Sequence, residues 1–166
     1  MNKIPFFSLE RQRNGLIGLG VDIRNAVLQV IDSCCYSNGP KTKELEEKWS
    51  IFNKTKYCVF CASGTQALEI ALKSLKTDYK STIFTSANSF LASSSCIDAA
   101  DENPVWIDSK ENSCNLDWDK LLVAYQQTLG YNKIILPVCL YGIPVDFNRI
   151  PDLRKKDIPI ILDLAQ

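Results

Sequence analysis

The chain has 166 residues and no histidine. That absence removes Ser-His-Asp triads and histidine-ligated metals from the chemistry open to it. Net charge is missing too: 19 Lys and Arg balance 19 Asp and Glu. No long-range field therefore draws it to nucleic acid or to an anionic membrane. No apolar run approaches the ~20 residues that span a bilayer. The start, Met1-Asn2-Lys3-Ile4-Pro5, lacks the apolar core of a signal peptide. No G-x-G-x-x-G follows a strand-like run, which disfavours a Rossmann-type dinucleotide binder. There is no internal repeat, low-complexity tract or interdomain linker.

What is there is ordinary for a soluble globular protein: 46% hydrophobic and 23% charged residues. The length suffices for one domain with a real core. The seven cysteines are an odd number, which argues against a disulfide framework and suits a reducing cytosol. Most of them read as small buried hydrophobes, with Cys58, Cys61 and Cys139 in strand-like runs. The mixed charges of Lys41–Lys48 read as a solvated helix face.

Residues 1–20 read as an arm holding Gly15, Gly18 and Gly20. A helix is predicted at Asp22–Ser33, with Ile23, Ala26, Val27, Val30 and Ile31 on one face, and a second at Thr42–Phe52, burying Leu45, Trp49 and Phe52. Beyond these the pattern alternates. Strand-like runs are 57–61, 82–86, 104–108, 133–140 and 159–164. Helix-like runs are 65–76, 89–100 and 117–127, the last capped by Asp117, with a shorter helical turn at 147–154 interrupted by Pro151. Continuous apolar runs such as Ile134-Ile135-Leu136 suit a parallel sheet covered on both faces, and ligands of such sheets sit at the carboxyl ends of strands.

Two features lie at such ends. Ser63-Gly64-Thr65 opens a helix, where unpaired N–H groups and the positive end of the dipole meet. Gly64 admits an anion, and the hydroxyls add donors; the residues are read either as a phosphate cradle or as a plain Ser/Thr cap. Asp163 ends the apolar run Ile160-Ile161-Leu162. It caps the next helix or meets a cationic or hydrogen-bonding group.

Five segments in this order resemble the DegT/DnrJ/EryC1/StrS sugar aminotransferases. They are Asn38-Gly39-Pro40 leading to Leu45-Glu46, Ala62-Ser63-Gly64-Thr65-Gln66-Ala67-Leu68, Thr85 through Ser93, Leu136 through Asp146, and Asp163-Leu164-Ala165-Gln166. The resemblance implies an α/β chain: the large domain of the three-layer PLP-transferase fold type I, incomplete, with a mostly parallel sheet and helices on both faces. Residues 1–54 would form the N-terminal arm and helices, and 55–166 the N-terminal part of the cofactor domain. It implies pyridoxal 5′-phosphate (PLP) as cofactor. Gly64 and Thr65, with a possible contact from Ser63, would hold its phosphate. Phe90 would stack on the ring, unless it is a core residue. Asp163 would pair with the protonated ring nitrogen, and Gln166 would lie near the 3-oxygen. No metal is implied.

The implied reaction moves an amino group, usually from glutamate, to a keto carbon of a nucleotide-linked sugar, for polysaccharides or glycosylated natural products. The partners implied are that nucleotide sugar and an amino-acid donor; the full-length protein would be a cytoplasmic homodimer, without nucleic acid or membrane. Two departures stand out. Cys139 replaces a histidine common in the family, where it contacts substrate or simply packs. The chain also stops inside Asp-x-Ala-Gln, before the family's Schiff-base lysine, so no catalytic residue is assigned and the chain alone is expected to be inactive. In the resembled sheet order the strand at 57–61 would then lack neighbours, and an unstable or aggregating chain is expected. The competing reading is a non-catalytic relic that binds a partner or a phosphate ligand.

Overall fold

Three helices open this structure, a computed structural model that describes residues 4–75, 79–130, 132–154 and 157–166. They belong to the first of two units, Met1–Phe60 and Cys61–Gln166. Helix α1, Leu9–Gly18, lies within the stretch read as an arm; its two glycines and irregular apolar spacing concealed it. Helix α2, Ile23–Ser33, is capped by Asp22, whose carboxylate accepts from the Asn25 N–H at 2.9 Å. Helix α3, Pro40–Asn53, starts with proline at a first-turn position where no N–H is needed. The preceding Gly39 is required by space, since a Cβ there would stand 2.4 Å from the Cys35 carbonyl oxygen. Glu44 pairs with Lys48 at 2.6 Å and Lys41 at 3.5 Å on the solvated face of α3.

Among the described residues, these three helices bury no side chain. The expectation that Leu45, Trp49 and Phe52 are buried is therefore wrong; Phe52 is 78% exposed. The helical period identified their shared stripe, but burial also needs a surface to pack on. Residues 57–61 likewise form no strand. Their apolar pattern is suitable, yet no ladder partner meets them among the described residues. The Phe60 N–H donates instead to the Glu46 carboxylate at 2.9 Å.

The second unit is built on a parallel sheet. Helix α4, Gly64–Ser74, leads to β1, Thr82–Ser86; α5, Leu91–Ala99, leads to β2, Asn103–Ile107; α6, Trp118–Gln127, leads to β3, Lys133–Leu136; a short α7 follows at Ile150–Arg154. The strand order is β2-β1-β3, all parallel. Side chains alternate across it. Ile83, Ile134 and Leu136 pack with Leu68 and Leu72 of α4 and Cys96 and Ile97 of α5. Phe84, Ile107 and Ile135 face the other way, against Trp118 and Leu121 of α6 and Leu153 of α7. Helices thus cover both faces, as expected.

The last run continues the sheet beside β3 only as bridges, Ile135 to Ile160 and Val138 to Asp163. Pro137 and Pro159 lack the N–H a continuous ladder needs. Their carbonyls still accept, from Asp163 N–H and Ile135 N–H, both at 3.0 Å. The four runs thus stand side by side in the order β2, β1, β3 and the last run. The run at 147–154 is split into a 3-10 turn, Phe147–Arg149, and α7, with Pro151 in the first turn of α7. Asp117 caps α6 as predicted. Only Cys96 and Cys139 are buried, so the reading of most cysteines as core residues fails. Residues 1–3 of the arm and Lys76, the predicted end of α4, lie outside the described residues. Among those described, no helix is long and apolar enough to cross a membrane.

Candidate functional site: a cleft at the carboxyl edge of the sheet

The start of α4 is held by a reciprocal cap. Ser63 Oγ accepts from the Gln66 N–H at 3.2 Å, and Gln66 Oε1 accepts from the Ala62 N–H at 3.0 Å, a variant of the capping box reaching one residue further back. The Ala67 N–H is bonded to the Ser63 carbonyl. The amides of Gly64 and Thr65 remain as helix-start donors without an intrahelical partner. A Cβ built on Gly64 meets nothing within 4 Å. The open space beside it is a cleft of about 350 Å³ lined by Gly64, Thr65, Phe90, Val138, Asp163 and Gln166, among others. Of the six residues singled out in the sequence, five line this cleft; Ser63 is the helix cap behind it.

Phe90 precedes α5 with an extended backbone and is 73% exposed. That removes the core reading and leaves an aromatic face at the cleft. Asp163 is buried. Its backbone is fixed on both sides, its N–H donating to the Pro137 carbonyl and its own carbonyl accepting from the Cys139 N–H, each at 3.0 Å. Its Oδ1 accepts from the Ala165 N–H at 3.1 Å and its Oδ2 from Ser93 Oγ at 3.4 Å. The charge is felt nearby: burial, and after it the negative Asp163, push the Cys96 thiol up to about 11.

Gln166 Oε1 accepts from the Tyr141 N–H. Only an oxygen can meet that N–H, so the side-chain NH₂ keeps both of its donors. Tyr141 and Gly142 turn in left-handed conformations, φ 57° and 72°, and a Cβ on Gly142 would come to 3.4 Å from the Gln166 carbonyl. Cys139 is buried and lines the cleft. Ser93 carried no assigned role in the sequence. It is one of three consecutive serines, and only helical phase distinguishes it. Cys58 and Cys61 stand at C-x-x-C spacing, but among the described residues no group of three or more His, Cys, Asp or Glu could hold a metal.

Two free helix-start amides, a glycine whose missing Cβ leaves the cleft open, an exposed ring and a buried acceptor-only carboxylate together suit a phosphorylated aromatic cation. These are the donors and acceptor that PLP requires.

Similar proteins are known. A UDP-2-acetamido-2-deoxy-3-oxo-D-glucuronate aminotransferase of Pseudomonas aeruginosa is 34% identical over 132 residues, 79% of this chain and 36% of that protein. A 3-oxo-glucose-6-phosphate:glutamate aminotransferase of Bacillus subtilis is 28% identical over 100% of this chain and 37% of its own length. The structure of NtdA from Bacillus subtilis with bound cofactor PMP, the amine form of PLP, matches with a TM-score of 0.82 at 26% identity, covering 100% of this chain and 37% of that one. The chain thus spans well under half the length of the relatives it matches. With residues 19–166 matching its family description, the chain belongs to the DegT/DnrJ/EryC1/StrS aminotransferase family.

Proposed function

We propose that the cleft holds PLP and that the protein transfers an amino group, from glutamate, to the keto carbon of a nucleotide-linked sugar. One observation carries this reading: the start of α4, Phe90 and the buried Asp163 line a single cleft. The substrate class is supported by relatives named for a UDP-linked 3-oxo sugar and for a 3-oxo sugar phosphate, the latter also naming glutamate.

Bound there, the cofactor supplies an electron sink for the bonds around the amino carbon. The chain's own residues supply the rest. The amides of Gly64 and Thr65, with the Thr65 hydroxyl, hold the phosphate at the positive end of α4. Phe90 lies against the ring face. Asp163 accepts from the ring N–H and keeps that proton in place, and the Gln166 NH₂ donates to the 3-oxygen. No lysine occurs among the residues lining the cleft, so these groups bind and orient, and the proton transfers at carbon fall to an amine they do not provide. In this reading the complete enzyme works in the cytoplasm as a homodimer and feeds polysaccharide or glycoconjugate synthesis.

Calorimetric titration with PMP tests the assignment. We expect one saturable site, weakened about 10- to 100-fold by Asp163→Asn, the loss of a hydrogen bond between charged partners. An assay of the 166-residue chain with PLP, glutamate and a UDP-linked keto-sugar should show no turnover. Equal affinity in the Asp163→Asn variant would overturn the site, and turnover by this chain alone would overturn the division of labour.

A further inference from the structure

A buried carboxylate accepts hydrogen bonds and donates none, so its orientation depends on a donor at each oxygen. For Asp163 the Oδ1 donor is local, the Ala165 N–H. The Oδ2 donor comes from α5: Ser93 Oγ at 3.4 Å, on a residue that is 1% exposed. Ser93 Oγ also lies 2.7 Å from Ser89 Oγ, one helical turn earlier. The direction of this pair follows from the chemistry. The single Ser93 proton goes to the carboxylate, which has none to give, so Ser93 accepts from Ser89. Its neighbours behave differently. Ser94 Oγ and Ser95 Oγ donate to the carbonyls of Leu91 and Ala92 in their own helix, a common use of helical serines. Ser93 alone of the three turns its hydroxyl to another element.

We propose that Ser93 is a positioning residue for Asp163: relayed from Ser89, its hydroxyl fixes the carboxylate plane so that the free lone pairs meet the ring nitrogen. The inference rests on the reading that Asp163 meets that nitrogen. Its 3.4 Å separation is long, as hydrogen bonds in unliganded sites often are, and it tightens when the carboxylate is engaged. The same stretch carries Phe90, so the start of α5 sets both the aromatic contact and the carboxylate angle.

The test titrates PMP, and separately an analogue with carbon in place of the ring nitrogen, into the chain and into Ser93→Ala, Ser93→Thr, Asp163→Asn and the Ser93→Ala/Asp163→Asn double variant. We expect Ser93→Ala to weaken PMP about 3- to 10-fold and to leave the carbon analogue unchanged. Ser93→Thr, which keeps the hydroxyl, restores affinity. In the Asp163→Asn background the Ser93→Ala loss disappears, the mark of two groups acting as a unit. Ser89→Ala gives a smaller loss in the same direction. A Ser93→Ala variant that binds PMP as tightly as the unaltered chain, that weakens both ligands alike, or whose loss adds to that of Asp163→Asn overturns the proposal while leaving the cofactor site standing. If the unaltered chain does not bind PMP, the site reading fails and the role of Ser93 falls with it.

Discussion

Gly64 stands where the polypeptide itself has no need of glycine. A side chain there would touch nothing, and glycine in a helix weakens it relative to alanine. Gly64→Ala should therefore raise stability by about 0.5–1 kcal/mol while lowering affinity for PMP, because the new methyl group enters the cleft. Urea denaturation and calorimetry on the same variant check both signs. A variant neither stabilised nor impaired would show that the glycine has no part in binding. Cys96 makes a second prediction. Its thiol is held up to about 11, against an ordinary 9.0, by burial and then by Asp163. The unfolded chain releases that proton first, so this contribution to stability is intact below about pH 9 and declines as pH rises toward 11. Denaturation between pH 8 and 11 should show this slope, and Cys96→Ala should flatten it. Gly64, Thr65 and Asp163 were visible as a helix start and the end of an apolar run, Phe90 only through the family resemblance, and all four line the cleft. Ser93 was not, because Ser93, Ser94 and Ser95 differ only in the direction their hydroxyls take around a helix.

At the scale of elements, caps were read more reliably than partners. Asp117 was visible as a cap, and its Oδ1 accepts from the Asp119 and Lys120 N–H groups at 2.9 and 3.2 Å. Asp117→Ala should cost about 1 kcal/mol, measured by urea denaturation; an unchanged midpoint would mean that α6 is held by packing alone. Strands carried a subtler signal. Runs 82–86 and 104–108 became β1 and β2 because each finds a neighbour in register. The run at 57–61 is also rich in apolar residues but has no ladder neighbour among the described residues, and period-two patterning cannot report that difference. Prolines explain the remaining shortfall: Pro137 ends β3, and Pro159 confines the last run to bridges. Helix α1 escaped because its two glycines and irregular apolar spacing leave no clear stripe to read.

At the scale of the whole molecule, the two units differ in kind. The second has a sheet with cores on both faces. The first presents Val27, Leu28 and Ile31 on α2 and Trp49 and Phe52 on α3 to solvent. An apolar surface of that extent promotes association. Light scattering of the chain should rise with concentration, and a Trp49→Ser/Phe52→Ser variant should reduce it without altering PMP affinity. A monomer that stays dispersed and melts in one sharp transition would contradict this. The central claim is that one cleft at the carboxyl edge of the sheet takes the cofactor. Amide NMR of the ¹⁵N-labelled chain during a PMP titration tests it most directly. The account predicts saturable shifts at Gly64, Thr65 and Ala165, moving together with a single affinity; shifts confined to other residues, or none at saturating PMP, would contradict it.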